Sequence, residues 1–181
     1  FRDETMQCVS RSLCARATKL DALVADMLSE RRIDAAAKFV VVSEDETIRG
    51  FFSSCKLSGM RVIVCDNSHS NKLTAHHQIQ QFEDGAADVF VVSRKATQLG
   101  INLQVSKVMY FVDNDFSVYG DEQSKARVGR QGCTFSEVHI RRLVTVGTIS
   151  ADVSKFHQRW TRQTLMCSRR RRSRAGTIGR R

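Results

Sequence analysis

The stretch Phe39-Val40-Val41-Val42-Ser43 is an apolar run dominated by valine and closed by a polar residue. Three runs of the same kind follow, at Arg61–Cys65, Asp88–Ser93 and Val108–Asp113. They hardly alternate polar and apolar residues, so each is predicted to be a strand buried on both faces, as in a parallel sheet. A fifth run, Val138–Thr145, alternates more and predicts a further strand.

Helical patterns lie between these predicted strands. An apolar stripe at helical spacing runs through Leu20, Leu23, Val24, Met27 and Leu28. Thr18, three residues before Asp21, has the character of a helix cap in front of it. Further helices are expected over 45–57, 72–83, 121–130 and 152–166. Alternating strands and helices predict an α/β fold, a doubly wound and mainly parallel sheet with helices on both faces.

The net charge of +10 is concentrated at one end of the chain. Asp152 is the last acidic residue and is followed by nine arginines and one lysine, whereas residues 1–152 are formally neutral. This run cannot bury itself, so residues 167–181 are predicted to be a disordered tail that binds a polyanion, nucleic acid first. A nuclear-import signal and a merely solubilising or read-through tail are the alternatives.

The predicted organisation therefore has four parts. Residues 1–15 stay unassigned, 16–150 form the α/β domain, 151–166 form a helix and 167–181 form the tail. The six cysteines contain no C-x-x-C pair and no histidine stands at zinc-ligand spacing from them, so no metal site is predicted. Reduced thiols of a cytosolic or nuclear protein fit this pattern.

Two other kinds of segment are missing from the sequence. There is no signal peptide and no apolar run long enough to cross a bilayer, so no membrane partner is expected. There is also no G-x-x-x-x-G-K-[ST] loop to hold phosphates. The chain by itself is therefore expected neither to bind ATP tightly nor to hydrolyse it.

Polar residues follow four of the predicted strands, at Ser43-Glu44, Asp66-Asn67-Ser68, Ser93-Arg94-Lys95 and Asp113-Asn114-Asp115. In doubly wound sheets, ligands bind beyond the carboxyl ends of the strands. These residues are therefore candidates for a binding site, although any loop has a similar composition.

Two arginines stand three residues apart, at Arg127 and Arg130. On a helix over 121–130 both guanidiniums would point from one face. Arginine is always charged and its planar fork suits phosphate oxygens. Arginines beside a nucleotide γ-phosphate stabilise the charge of phosphoryl transfer, which is worth roughly 10³–10⁵ in rate. The alternative is a pair of solvated arginines on an amphipathic helix.

The run Arg127-Val128-Gly129-Arg130-Gln131-Gly132 resembles motif six of superfamily-two helicases, R-x-G-R-x-G. Upstream, Ser93–Leu103 resembles motif five, and its ending L-G-I-N-L is typical of Snf-type DNA-dependent ATPases of the chromatin-remodelling kind. Asp113-Asn114-Asp115-Phe116 resembles the D-x-D-W of that family. Arg142–Ile149 matches the R-L-V-T-x-G-T-I that precedes the family's closing brace helix.

The resemblance covers about residues 16 to 165, in order and at matching spacing. Thr18-Lys19-Leu20 resembles the family's S-G-K-L opening, and Lys38–Ser43 resembles motif four. The likeness is to the second, C-terminal RecA-like lobe. The first lobe, with its phosphate loop and acidic magnesium motif, is absent from the sequence, so a fragment or a truncated relative is expected.

The resemblance implies roles for residues near the nucleotide. ATP is expected between two lobes, with Arg130 as the arginine finger and Arg127 as its γ-phosphate partner. Gln123 is expected to position their helix in the cleft, with Gly100 and Asn102 nearby. ATP and Mg²⁺ are expected to be bound mainly by the missing N-terminal lobe.

The resemblance also implies a DNA surface. Ser93 and Lys95 are expected near the DNA backbone. The remaining candidates for DNA contact are Ser43, Asn67, Ser68, Arg169, Arg170, Arg171 and Arg172. The expected partners are the N-terminal lobe and double-stranded DNA or chromatin, in the nucleus, with cytoplasmic or viral settings as alternatives. The oligomeric state stays open.

Several residues depart from the family pattern. Thr97-Gln98 stand where two glycines are usual, Val118 replaces a proline, Glu44 replaces a glutamine and Cys133 replaces a glutamine or arginine. A catalytically inactive nucleic-acid-binding module is therefore an alternative. The lobe of another superfamily-two helicase, acting on RNA, is a further one, because Gly129 is the general form. A nucleotide-binding α/β protein unrelated to helicases is the last.

Overall fold

The computed structural model describes residues 2–8, 15–54, 57, 59–65, 72–97, 101–130, 133, 135–161 and 163. Its strands are β1 (Arg2–Cys8), β2 (Phe39–Val42), β3 (Val62–Cys65), β4 (Val89–Val92), β5 (Val108–Phe111) and β6 (His139–Thr145). They form one sheet in the order β1-β6-β5-β2-β4-β3, and every neighbouring pair is parallel. The predicted α/β fold with a parallel sheet is confirmed.

The five predicted strands all form, and the valine-rich run lies in the middle of the sheet. β2 pairs with β4 on one side and β5 on the other. All four residues of β2 are fully buried, and so are those of β4. The absence of alternation in these runs reflects helices that cover both faces.

The helices are α1 (Ala15–Ile33), α2 (Glu46–Ser54), α3 (Lys72–Glu83), α4 (Arg94–Thr97), α5 (Val118–Val128) and a last helix, α6, over 149–161. α1 and α2 cover one face of the sheet and bury Leu23, Met27, Ile48 and Phe52. α3 and α5 cover the other face and bury Ile79, Phe82 and Val128. Burial of each large aliphatic or aromatic side chain contributes about 1.5–3 kcal/mol to folding.

Several predicted helix boundaries are shifted in the structure: α2 is Glu46–Ser54 where 45–57 was expected, and α6 begins at 149 where 151 or 152 was expected. α1 begins at Ala15, so Thr18 lies inside its first turn and is not the cap that the sequence indicated. Ala15, Arg16 and Ala17 are all strong helix formers, which favours this earlier start. α5 covers Val118–Val128 where a helix over 121–130 was expected, because it ends at Gly129, whose N–H donates to the Lys125 carbonyl at 3.1 Å.

Part of the segment that the sequence left unassigned, residues 1–15, forms the strand β1. β1 lies at the edge of the sheet beside β6, with Glu4 opposite Arg141. Arg141 donates to Glu4 at 3.1 Å, and to Asp26 and Glu30 of α1 at 2.5 Å each. The hydroxyl of Tyr110 donates to Asp26 at 2.6 Å. This set of five residues, the Arg141 cluster, fastens β1 and α1 to the sheet.

None of the helices in the described ranges has the length and apolar character needed to cross a membrane.

Candidate functional site

Asp113 organises the carboxyl edge at the middle of the sheet. It follows β5, and its Oδ2 accepts a hydrogen bond from the Ser43 hydroxyl at 2.7 Å. The same oxygen accepts from the backbone N–H groups of Glu44 at 2.6 Å and Asp45 at 3.3 Å. Asp45 in turn caps α2 by accepting from the Thr47 N–H at 2.9 Å. One carboxylate therefore fixes the loop that leads from β2 into α2.

Arg94 connects the loop after β5 to α5. It opens α4 directly after β4, and its guanidinium donates to the backbone carbonyl of Asp113. Its Nε also donates to Asp121 Oδ1 at 2.8 Å. The loops after β4 and β5 are thereby joined to α5 by a single side chain. Lys95, next to Arg94, is exposed, and its backbone N–H donates to the exposed Glu44 carboxylate at 3.2 Å.

Asp121 is the centre of a buried group of charges on α5. Its two oxygens accept separately from Arg94 and from Arg142 of β6. The side chain of Asp121 is fully buried, and those of Arg94 and Arg142 are 5% exposed. Both guanidiniums also lie over the ring of Phe111, at 5.7 and 4.8 Å from its centre. Asp121, Arg94, Arg142 and His157 are called the Asp121 cluster below.

His157 brings α6 into this cluster. Its Nε2 lies 2.6 Å from the backbone carbonyl of Asp115, which can only accept, so Nε2 carries a proton. Its Nδ1 lies 3.4 Å from Asp121 Oδ2, a long contact that lacks hydrogen-bond geometry. The ring is almost completely buried. The cluster thus connects α4, α5, β6 and α6.

The charges of the cluster hold Asp121 ionised. Burial by itself would raise the pKa of the Asp121 carboxyl, but the His157 ring and the guanidiniums of Arg142 and Arg94 outweigh burial and lower the pKa well below its usual range. One carboxylate here faces two guanidiniums, so the cluster has a surplus of positive charge.

The residues of α5 that were predicted to lie near the nucleotide follow Asp121 in the chain. Gln123 and Arg127 are both half-buried. Arg127 Nε donates to the backbone carbonyl of Thr97, the last residue of α4, at 3.0 Å. The hydroxyls of Thr97 and Ser124 are 2.6 Å apart and buried, which joins α4 to α5 a second time. The segments that resemble motifs five and six therefore touch each other directly.

Arg130 is exposed and lies two residues beyond the end of α5. The expectation that Arg127 and Arg130 share one helix face is therefore wrong, because Gly129 ends the helix between them. Arg130 lines a small cavity of about 170 Å³ with Cys133, Phe135 and Val138. Within the described part of the chain, neither Arg127 nor Arg130 forms an ion pair with a carboxylate.

The predicted DNA residues differ in exposure. Lys95 is exposed, and so is Asn102, which was assigned to the nucleotide cleft. Ser43 is fully buried with its hydroxyl on Asp113, and Ser93 is 7% exposed with its oxygen accepting from the Ala96 N–H at 3.1 Å. Both hydroxyls thus have partners inside the protein. The contacts with DNA that were predicted for Ser43 and Ser93 stay predictions. The remaining predicted residues lie outside the described ranges: Gly100, Asn67, Ser68, Arg169, Arg170, Arg171 and Arg172.

Among the described residues, no three His, Cys, Asp or Glu side chains come close enough together to hold a metal ion. At the carboxyl edge, the carboxylates of Asp113 and Glu44 accept from backbone N–H groups.

Sequence reasoning missed the Asp121 cluster. Arg94 and Arg142 stand inside segments that resemble family motifs, and Asp121 lies between two of them. Arg94 was a general binding-site candidate, but no role in anchoring α5 was given to any of the three. His157 gave no signal beyond its place in a predicted helix. The sequence did offer one signal. Arg94 directly follows a predicted strand and Arg142 lies inside another, and a charged side chain at such a position needs a partner if it is buried.

Comparison with known proteins gives a consistent result. The model of the helicase conserved C-terminal domain family matches residues 18–132. The DNA repair and recombination protein RAD54B of Gallus gallus is 33% identical over 150 residues, which cover 78% of this chain and 15% of the relative. The SWI/SNF-related matrix-associated actin-dependent regulator of chromatin subfamily A containing DEAD/H box 1 of Mus musculus is 39% identical over 83 residues, 45% of this chain and 8% of the relative.

Solved structures agree with the architecture. The crystal structure of the C-terminal part of the Fun30 ATPase domain matches with a TM-score of 0.65 and 25% identity, over 76% of this chain and 44% of that one. The Hef helicase domain of Pyrococcus furiosus matches with a TM-score of 0.60 over 78% of this chain and 28% of that one, at 16% identity, and so supports the fold alone. The chain spans less than a sixth of the length of these curated relatives.

Proposed function

Because the chain belongs to the helicase conserved C-terminal domain family, in the Snf-type branch of superfamily two, we propose that it works as the second RecA-like lobe of a DNA-dependent ATPase and translocase. In this proposal an N-terminal lobe supplies the phosphate loop and the Mg²⁺ ligands. The present lobe supplies cationic side chains to the triphosphate and contacts to the DNA backbone.

The anchoring of α5 by the Asp121 cluster carries this proposal. A buried carboxylate held by two guanidiniums fixes the helix rigidly against β6 and α4. Arg127 is further fixed by the carbonyl of Thr97, and Arg130 follows at the exposed end. Catalysis of phosphoryl transfer depends mainly on positioned charge, because the groups must lie in place before the transition state forms. Arg127 on this helix and Arg130 just after it have no carboxylate partner among the described residues, which fits that requirement.

The chemistry assigned to the two arginines follows from their surroundings. Arg130, exposed and close to the end of α5, reaches the γ-phosphate when the lobes close and stabilises the charge that develops on its oxygens. Arg127 is half-buried and held at Nε, so its remaining donors have a restricted direction and contact the same phosphate. Gln123 lies one turn before Arg127 and orients the entry of the helix into the cleft.

The proposed link to DNA runs through α4. Lys95 is exposed at the carboxyl edge and contacts a DNA phosphate. Its neighbour Arg94 reaches both the Asp113 carbonyl and Asp121. A shift of α4 on DNA binding is therefore passed to α5 through the buried side chain of Arg94. The partners would be an N-terminal lobe and double-stranded DNA or chromatin, and the setting would be the nucleus.

The test is ATP turnover in a two-lobe protein made by joining this chain to the N-terminal ATPase lobe of the RAD54B relative. Arg130→Ala is expected to lower the DNA-stimulated turnover by about 10³-fold or more, with a smaller change in KM for ATP. Arg32→Ala, which removes an exposed arginine from α1, is the matched control and should leave turnover unchanged. Near-normal turnover of the Arg130→Ala protein would rule out its role as the finger.

A second candidate function is a nucleic-acid-binding module without ATPase activity. Thr97 favours it, because a buried side chain fills a position where the family usually has glycine and backbone can approach phosphate closely. This candidate predicts no turnover by the two-lobe protein, together with salt-sensitive and sequence-tolerant DNA binding. That binding should collapse when residues 167–181 are removed, and binding that survives the truncation would count against it.

A further inference from the structure

Two successive residues of the loop between β5 and α5 are held by α6. Asn114 Nδ2 donates to the hydroxyl of Ser150 at 2.7 Å. The backbone carbonyl of the next residue, Asp115, accepts from Nε2 of His157 at 2.6 Å. Two residues further on, Ser117 caps the start of α5. The position of α6 therefore fixes the backbone that leads into α5.

The contact made by His157 is the more protected of the two. His157 is 3% exposed and lies on the packed side of α6 together with Val153 and Ser154, whereas Ser150 is half-buried. A hydrogen bond is electrostatically stronger where the surroundings exclude water. The buried ring can also hold its donor in one direction, because the packing around it leaves little room for other rotamers.

The same ring meets α5 on both sides of the helix start. Its Nε2 holds Asp115, before the helix, and its Nδ1 lies 3.4 Å from Oδ2 of Asp121, in the first turn. α5 is 11 residues long, about 16 Å, and moves as one body. A displacement at its first turn is therefore carried to Arg127 in its last turn and to Arg130 beyond it.

We propose that His157 is a positioning residue for these two arginines and that it acts through the backbone carbonyl of Asp115. His157 contacts neither nucleotide nor DNA in this proposal. Its effect passes through the loop into α5. The family model matches residues 18–132, so the proposal gives a role in the site to a helix beyond that range. Its effect on turnover rests on the proposed ATPase function, whereas its effect on α5 does not.

The first test is ATP turnover by the two-lobe protein. His157→Ala is expected to lower kcat about 10- to 100-fold, the effect of catalytic groups that are slightly misplaced. KM for ATP should change by less than about threefold, since the lost contacts belong mainly to the transition state. Ser154→Ala is the matched control and should turn over normally. It removes a hydroxyl on the same buried side of α6 that has no hydrogen-bond partner among the described residues. An equal kcat for the two variants would overturn the proposal.

A pair of amide substitutions separates the hydrogen bond from the packing of the ring. His157→Gln keeps an N–H donor about as far from the backbone as Nε2, whereas the donor of His157→Asn is too short to reach the Asp115 carbonyl. Glutamine should restore kcat to within about threefold of the unsubstituted protein, and asparagine should behave like alanine. Both variants lose the ring, so the comparison holds even where His157→Ala folds poorly. Glutamine that performs no better than asparagine would make the role one of packing alone and contradict the proposal.

Amide hydrogen exchange of the full chain tests the positioning without any turnover. His157→Asn should accelerate exchange in α5, over Val118–Val128, and His157→Gln should do so much less, while Phe39–Val42 at the centre of the sheet stays protected in both. Unchanged exchange in α5, or equal acceleration in β2, speaks against the proposal. The two possible failures are distinguishable. Normal turnover of the Arg130→Ala protein overturns the ATPase role, and the exchange result then decides whether His157 positions α5.

Discussion

Arg141 and Arg142 are neighbours on β6, and because successive strand residues point to opposite faces they take part in two different charge clusters. In the Arg141 cluster one guanidinium meets three carboxylates, those of Glu4, Asp26 and Glu30. In the Asp121 cluster the balance is reversed, and one carboxylate meets two guanidiniums.

The two clusters also differ in their access to water. The carboxylates around Arg141 are 23–31% exposed, so solvent screens the surplus of negative charge. Asp121 is fully buried and its arginines nearly so, and the positive surplus there is not screened in this way. The first cluster is suited to fastening an edge strand. The second holds α5, which carries Arg127 and leads directly into Arg130.

The largest expected difference between the clusters is in stability. Asp121→Ala removes the buried carboxylate that accepts from the guanidiniums of Arg94 and Arg142, which should lower the free energy of unfolding by about 3–5 kcal/mol. Urea denaturation followed by circular dichroism measures this. Asp152→Ala, at an exposed carboxylate on α6, is the control and should change stability little. If Asp121→Ala lowered the free energy of unfolding by less than about 1 kcal/mol, this would contradict the claim that the cluster anchors α5.

Arg141→Ala should have a smaller effect, about 1–3 kcal/mol, since the carboxylates left behind reach water. Its effect should be local. Amide hydrogen exchange is expected to accelerate in β1, over Arg2–Cys8, and much less in β2 at the centre of the sheet. If amide exchange accelerated equally in β1 and β2, Arg141 would support the whole sheet. The proposed difference between the two clusters would then be wrong.

The pH dependence of stability gives a third contrast. The pKa of Asp121 is lowered in the folded state, so its carboxylate stabilises the fold fully above about pH 4 and this stabilisation is lost as the pH falls toward the lowered folded value. The difference in unfolding free energy between the unsubstituted protein and Asp121→Asn should therefore shrink below about pH 4, by up to about 1.4 kcal/mol per pH unit. A difference that stays constant from pH 6 to pH 3 would contradict the assignment.

The smallest expected effect is at the exposed rim of the site. Glu44 accepts from the Lys95 N–H and brings a negative charge to the surface proposed to meet DNA. Glu44→Gln should raise the affinity for duplex DNA about 2- to 5-fold at low salt, by removing one repulsive charge. Glu137→Gln, at an exposed glutamate before β6 and so at the opposite edge, is the control. Equal gains from both variants would mean that only net charge matters.

Much of the fold follows from the sequence because parallel strands are buried on both faces. Runs such as Phe39–Val42 and Val89–Val92 have no solvent-facing residues to interrupt them, so their pattern leaves little choice. β1 was missed for the complementary reason: Arg2-Asp3-Glu4 opens it with charges, and its pairing with β6 joins residues more than 130 positions apart. No local pattern records such a pairing.

The site was predictable in its parts but not in its connections. The resemblance identified the segments of Arg127 and Arg130, yet the end of α5 at Gly129 separates these arginines onto a helix and a following loop. The partners of Asp121 come from three elements, 21 to 36 residues away in the chain. Which guanidinium meets which carboxylate depends on the packing of those elements, and a sequence gives only the list of candidates.

The measurement that tests the account most directly is the affinity of the two-lobe protein for ADP with aluminium fluoride, which mimics the phosphoryl group in transfer. The account predicts that Arg130→Ala weakens binding of this analogue by about 10³-fold or more and changes the affinity for ADP alone by less than about tenfold. Equal affinity of the unsubstituted and Arg130→Ala proteins for the analogue would contradict the claim that this lobe supplies the charge that stabilises phosphoryl transfer.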